Sequence, residues 1–323
     1  MFVNRVRSFY CIALFIVLQC WLSALYACST IIIVSSNTHF SMVHRIESAL
    51  YTELKTQKRV IHVLSESVKR PEFFEQYHEP CLITTIGSEA LATVLSTKTH
   101  TPILSTLLRK GVFHQLLKQY GHSLNEPMLP ITAIFVDQPF TRQFNLIQAL
   151  FPHINEKSPI GILLGPQSVA DQELLQCIAR DRHLQLITTF VNKSENPIAV
   201  VDTMLNEAKL LFAIPDINIY NPTTSHGILL TTYHRRAPLI GFSRTYVNSG
   251  AMAAVHSTSK QLADQASKTI AAIIEKNQFP APQYPKEFSV AMNHHVVHSL
   301  GLSVADENTI KSRMDKMQET SPL

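Results

Sequence analysis

Glycine is scarce in this chain, at nine of 323 residues. No GxGxxG or GxxxxGK[ST] run occurs, which argues against a nucleotide held on a glycine-rich phosphate loop. No GxSxG occurs either, so Gly87-Ser88-Glu89 is not a nucleophile elbow. There is no CxxC and no paired acid and base that stands out as catalytic. Charge is sparse, at 16% of residues, with a formal net of +4. Setting aside Arg5 and Arg7 near the N-terminus leaves +2. That is too weak a balance for a nucleic-acid or acidic-lipid surface. Of five cysteines, Cys11 and Cys20 lie in an apolar leader. Cys28, Cys81 and Cys177 are an odd, widely spaced remainder and do not make a disulfide framework; Cys81 and Cys177 read as small buried apolar residues. No short-period repeat or low-complexity tract is visible. The tail from Ala305 onward is polar and reads as loose.

Hydrophobic residues make up 46% of the chain, enough for a large packed core. The leader has the parts of an export signal: Arg5 and Arg7, then the apolar run Phe9–Leu18, then a cleavage point after Ala27. Two other readings stay open. Leu25-Tyr26-Ala27-Cys28 approximates a lipobox, which would make Cys28 a lipidated first residue. Ser8–Ala27 is uncharged and about the roughly 20 residues a membrane anchor needs. Plain export to the periplasm is the reading adopted.

Beyond the leader, strand-length apolar runs alternate with helical periods. Thr30–Ser35, Val60–Leu64, Leu82–Ile86, Pro102–Leu107 and Ile131–Val136 form one series of strands. Ile160–Leu164, Leu184–Val191, Leu210–Ile214 and Pro238–Phe242 form a second. Continuous apolar runs suit parallel strands covered on both faces. In the first helix, Phe40, Val43, Ile46, Leu50 and Leu54 recur at steps of three and four. Two βα series in tandem indicate an α/β protein with two parallel-sheet lobes rather than one open sheet.

The chain is organised around Ala237–Val255, APLIGFSRTYVNSGAMAAV. An apolar strand ends there in a polar corner, where side chains and free N–H groups can meet a ligand. Ser243, Arg244 and Tyr246 are its candidates, with Arg244 or Ser243 for a carboxylate and Tyr246 for an apolar moiety. Gly165, Pro166 and Ser168, and Asp216 with Asn218, are candidates at two other strand ends. Asp216 would face an amino group; its competing role is a helix cap or turn after Pro215. Arg244 competes with a salt bridge between lobes. In the first series, Ser35, Ser36, Gly87 and Ser88 end strands one and three, and Leu104–Thr106 lies on strand four. Asn37 and Ser88 also suit plain helix capping. Asp137, Gln138 and Arg142 read as hinge geometry, because a residue before proline is driven extended and Asp137 can cap the helix near Phe140. Asn248 and Gly250 read as hinge positions too. His294 and His298 are four apart, a permissible metal spacing, but the zinc-hydrolase glutamate is missing, so a helix face is preferred there and at His39 and His44. No cofactor or metal is assigned.

The ordered series IFVDQPFTRQFNLIQALFP, IGILLGP, LLFAIPD, APLIGFSRTYVNSGAMAAV and FPAPQYPKEFSVAMNHHVVHSLGL resembles the ABC-transporter substrate-binding proteins related to the tryptophan- and tyrosine-binding receptors. The resemblance covers nearly all of the chain after the leader and is thinner from Thr30 to Leu129. It implies a type I periplasmic-binding-protein fold, with two Rossmann-like lobes joined by three crossovers. It places residues 28–137 plus 251–281 in lobe 1 and 138–250 plus 282–323 in lobe 2. The crossovers fall near Asp137–Phe140, Asn248–Gly250 and Pro282–Pro285, and Ala251–Val255 rejoins the first lobe as a sixth strand. The two-lobed reading is made to depend on that strand. The implied partners are a small-molecule ligand and an ABC permease or membrane sensor, with the protein a monomer and not an enzyme. An α/β hydrolytic enzyme and a partner-binding scaffold are the alternatives.

Overall fold

The computed structural model describes residues 30–55, 58–68, 71–77, 80–97, 99–124 and 129–320. In chain order the elements are β1 (Thr30–Ser35), α1 (Phe40–Glu53), β2 (Arg59–Leu64), β3 (Leu82–Ile86), α2 (Ser88–Ser96), β4 (Ile103–Leu108), α3 (Lys110–Gln119) and β5 (Ile131–Phe135). Then come α4 (Phe140–Leu150), β6 (Ile160–Leu164), α5 (Gln172–Asp181), β7 (Leu186–Phe190), α6 (Pro197–Met204), β8 (Leu210–Phe212), α7 (Ser225–His234) and β9 (Leu239–Gly241). The last are α8 (Arg244–Asn248), β10 (Ala253–His256), α9 (Ser259–Lys276), β11 (Ser289–Met292), α10 (His294–Ser299) and α11 (Glu307–Thr320). The N-terminal leader and Cys28 lie outside the described residues.

The first sheet has five strands in the order β2-β1-β3-β4-β5. β1 pairs in parallel with β2 and β3, and Ile31–Val34 are fully buried, as a run covered on both faces requires. On α1, Val43, Ile46 and Leu50 are buried as expected, but Phe40 is exposed and packs its ring edge-on to His62.

The second sheet has six strands in the order β11-β10-β9-β8-β6-β7, with β11 alone antiparallel to its neighbour. Its two faces carry separate cores. Ile160, Ile162 and Leu164 pack with Phe144, Leu175, Ile310 and Met314. Leu163 and Ala254 pack with Val201, Ile228, Leu229 and Tyr246 on the other side. The split follows from the alternation of side chains along each strand.

Ala251–Val255 does not rejoin the first sheet. β10 pairs in parallel with β9, Ala254 against Gly241, and antiparallel with β11. The first sheet therefore has five strands, not six. The contact pattern still divides the chain into two units, and the main passages fall after Thr132, after Ala266 and after Pro280. The second passage lies inside α9, whose Ser267 hydroxyl reaches the Ile46 carbonyl at 3.4 Å. The division into two units does not depend on β10, because the return to the first unit is made by α9 after Ala266. Gly250 is not at that passage. Its φ of +128° ends α8 and turns the chain into β10, a conformation that glycine adopts without a Cβ penalty.

The tail is not loose. In α11, Ile310 and Met314 are completely buried one helical turn apart, and Arg313 donates to the Ala149 carbonyl at 3.0 Å. Few apolar residues suffice when they share one stripe. His294 bonds Glu307 of this helix at 2.9 Å. The cysteine reading also changes. Cys177 is free and exposed, and Cys81 is disulfide-bonded.

Candidate functional site

In an open α/β sheet the crevice lies beyond the carboxyl ends of the strands, where the order reverses. In the second sheet β7 extends to one side of β6 and β8 to the other, so the reversal falls between β6 and β8. The loops leaving these two strands carry Gly165–Ser168 and Asp216–Asn218.

Asp216 joins those loops. It is 1% exposed. Its Oδ2 accepts from Gln167 N at 2.9 Å, Ser168 N at 3.0 Å and Ser168 Oγ at 2.9 Å. Its Oδ1 accepts from Asn218 N at 2.9 Å and Asn218 Nδ2 at 3.0 Å. A carboxylate offers roughly four acceptor sites, so five protein donors leave none for a ligand ammonium. Burial by itself pushes the Asp216 pKa up, but the bonds from Asn218, Ser168 and Gln167 more than offset it and the net shift is downward. Gly165 faces the carboxylate so closely that a Cβ there would lie 2.7 Å from Oδ2. The geometry gives Asp216, Asn218, Ser168 and Gly165 a latch that fixes the two loops. Pro166 and Gln167 are left exposed at its rim.

The corner after β9 is built differently. Ser243 is the N-cap of α8, its Oγ accepting from Tyr246 N at 3.1 Å. Tyr246 is buried, stacks on Phe242 at 4.9 Å between ring centroids, and meets Tyr220 edge-on at 5.9 Å. Burial raises the pKa of both phenols, and a weak approach of the Ser225 hydroxyl to Tyr246 only partly opposes it. Neither phenol oxygen has a hydrogen-bond partner of good geometry among the described residues. Tyr246 is thus part of an aromatic wall beneath the corner rather than an open stacking face. Arg244 stands apart. It is exposed, and makes no ion pair or hydrogen bond among the described residues.

The chain after β5 is tied down by a buried polar network. Gln138 Nε2 donates to Ser257 Oγ at 2.8 Å, and Arg142 Nη1 donates to Gln138 Oε1 at 2.7 Å and to the Pro285 carbonyl at 2.8 Å. The Arg142 guanidinium also lies 4.7 Å from the Phe288 ring centroid. Burial pulls its pKa down to about 10, with Glu287 and Asp315 opposing. Asp137 does not cap α4. It accepts from Lys110 N at 2.5 Å, at the first turn of α3. Its pKa is raised by burial, against the Lys110 bond and the charge of Arg109. Asn248 is the exposed last residue of α8.

In the first sheet the order reverses between β1 and β3. Ser35 ends β1 fully buried, with its Oγ 2.8 Å from His62 Nε2. Ser36 Oγ is 2.7 Å from Thr38 Oγ1. Gly87, with φ of +90°, is itself the N-cap of α2, and a Cβ there would lie 2.7 Å from His39 Nε2. Ser88 is exposed at the first helical position and forms no cap bond. Ser105 and Thr106 are buried inside the sheet, Ser105 receiving Thr85 Oγ1 at 2.8 Å. The structure therefore brings Gly87 and His39 together, a pairing of separate βα corners that no spacing in the sequence signals.

Two parallel sheets flanked by helices, each reversing its strand order beside polar corners, define a type I periplasmic-binding-protein fold. A family profile described as ABC transporter substrate binding protein matches residues 73–315, and the chain belongs to that family. Three solved structures show the same fold. One is a ligand-free, open substrate-binding protein with adhesive properties, CD0873 from Clostridium difficile, 13% identical with a TM-score of 0.66, covering 87% of this chain and 97% of that one. Another is a conserved domain protein from Vibrio cholerae, 17% identical with a TM-score of 0.56, covering 88% and 98%. The third is an ABC domain in complex with L-Trp from Streptococcus pneumonia, 18% identical with a TM-score of 0.54, also covering 88% and 98%. No curated protein matches the sequence.

Proposed function

We propose that this chain is an exported solute-binding protein that captures a small amino-acid-like or related organic acid and releases it unchanged, handing it to an ABC permease. The observation that carries the reading is Arg244, an unpaired, exposed cation on the first turn of α8, just beyond the carboxyl end of β9. A guanidinium of that kind is suited to a carboxylate. The L-Trp complex of a protein with the same fold supports an amino-acid-like ligand. Export is supported by the apolar leader and by the Cys81 disulfide, since disulfides persist in oxidising compartments. No helix among the described residues is long and apolar enough to cross a membrane. Pro166, exposed at the rim of the latch in the second unit, is a further candidate contact.

A thermal-shift screen of the mature protein against amino acids and related organic acids tests the reading, since a ligand that binds only the folded state raises Tm. Arg244→Ala is expected to abolish the shift while leaving the apo Tm within about 1 °C, because an unpaired surface side chain contributes little to stability. A full shift in the variant would remove Arg244 from the site. A screen with no response, or turnover of any compound, would sink the reading.

A further inference from the structure

We infer that His256 is a ligand contact on the second unit, its Nε2 accepting a hydrogen bond from an O–H or N–H that the ligand carries next to the carboxylate held by Arg244. The inference rests on the solute-binding reading and narrows its ligand class. His256 is the last residue of β10, at the same carboxyl edge as the Arg244 corner. Ala254 pairs with Gly241, the last residue of β9, and His256 lies two residues beyond it, toward the end of the sheet at which β9 passes into Ser243 and Arg244. Ala254 belongs to the core that contains Tyr246 and Ala251, and His256, in phase with it, takes the same face. Ser289 of β11 pairs with His256 from the other side.

His256 is 8% exposed, and its Nε2 is buried with no hydrogen-bond partner among the described residues. A buried acceptor left unpaired is destabilising, so it calls for a donor that the protein itself does not supply. Burial lowers the ring pKa and the Arg244 charge adds to this, against an opposing interaction with the Ser257 backbone, and the net lowering favours the neutral ring. A neutral imidazole keeps one unprotonated nitrogen, and the unpartnered Nε2 is the one free to accept from a ligand. A guanidinium that takes a carboxylate and an imidazole that takes the adjacent hydrogen together describe 2-amino and 2-hydroxy acids. They select against the same acid with only C–H at that carbon, which leaves Nε2 unpaired on binding.

The test uses two matched sets of acids and the mature protein. L-Phenylalanine, L-3-phenyllactate and 3-phenylpropionate share a ring and a carboxylate. L-Leucine, L-2-hydroxy-4-methylpentanoate and 4-methylpentanoate form the aliphatic set. Calorimetric Kd and thermal shift are measured for each with wild type and with His256→Phe, which keeps a planar ring and removes the acceptor. In at least one set, wild type is expected to bind the donor-bearing acids about tenfold or more tighter than the C–H acid, as one hydrogen bond of about 1.4 kcal/mol implies. His256→Phe should bring that ratio to near one with the apo Tm retained. If this variant does not fold, His256→Leu, which also lacks the acceptor, takes its place, and the wild-type ratio decides by itself. Equal binding of the C–H acid by wild type, or an undiminished ratio in the folded variant, would overturn the role of His256 and leave the solute-binding reading standing. No binding of any of the six acids would overturn this ligand class. The broader reading then falls only if the wider screen is also silent.

Discussion

Replacing Asp216 with asparagine separates a latch from a ligand contact. The carboxylate holds three donors on Oδ2 and two on Oδ1, all between 2.9 and 3.0 Å. An asparagine retains one acceptor oxygen and presents an NH2 to the other group of donors. At least two donors then lose their acceptor and face a like dipole. At about 1–3 kcal/mol per unsatisfied buried donor, and nearer the lower figure because Gln167 and Asn218 are partly exposed, the cost is about 2–4 kcal/mol. For a unit of this size that lowers Tm by on the order of 10 °C, measured by calorimetry at neutral pH. The pH dependence adds a second signature. The folded pKa of Asp216 lies below its usual 3.8. Its contribution is therefore complete above that usual value and is lost as pH falls through the depressed one. The Tm gap between wild type and Asp216→Asn should therefore stay constant above about pH 4 and close as pH falls through the depressed pKa. A variant with unchanged neutral Tm but no ligand response would refute the latch and return the carboxylate to the ligand.

Two further substitutions probe the same framework. Gly165→Ala drives a Cβ to within 2.7 Å of Asp216 Oδ2, and overpacking of this kind costs about 1–3 kcal/mol. Because both changes break one latch, the Gly165→Ala, Asp216→Asn double variant should lose clearly less than the sum of the singles in denaturant unfolding, and strict additivity would count against a shared contact. Arg142→Ala removes a 2% exposed guanidinium from Gln138, Pro285 and the Phe288 face, and a loss of about 3–5 kcal/mol is expected. Arg142→Met, which keeps much of the stem, should recover part of that stability; equal loss in the two would assign the whole effect to the charge.

Periodicity carried the sheets. Continuous apolar runs such as Ile31–Val34 and Ile160–Leu164 suit strands buried on both faces, and the structure places them so. Pairing was harder. Nothing in AAVH distinguishes a strand of one parallel sheet from a strand of another, so β10 was given to the wrong sheet. Membership is decided by the short α8 and the turn at Gly250, which bring the chain straight back beside β9. Likewise, α11 was missed because its buried stripe of Ile310 and Met314 is diluted by polar residues over 14 positions.

At the strand ends, residue type told where polar groups gather but not which of them are already engaged. Asp216 and Arg244 are equally plausible ligand partners by chemistry. Folding saturates the first with five donors and leaves the second bare. The difference is geometric: Asp216 lies where two loops converge on the reversal between β6 and β8, and any carboxylate there is met by backbone N–H groups. Arg244 sits on the first turn of a helix whose cap is already supplied by Ser243. His256 was invisible for the converse reason, since a lone histidine at the end of an apolar strand reads as core. Only the register against Gly241 and the absence of a partner at Nε2 single it out. In such a sheet, unspent hydrogen-bonding capacity at the carboxyl edge is a better guide to ligand contacts than residue type alone, because the fold consumes polar groups of the same kind for its own loops.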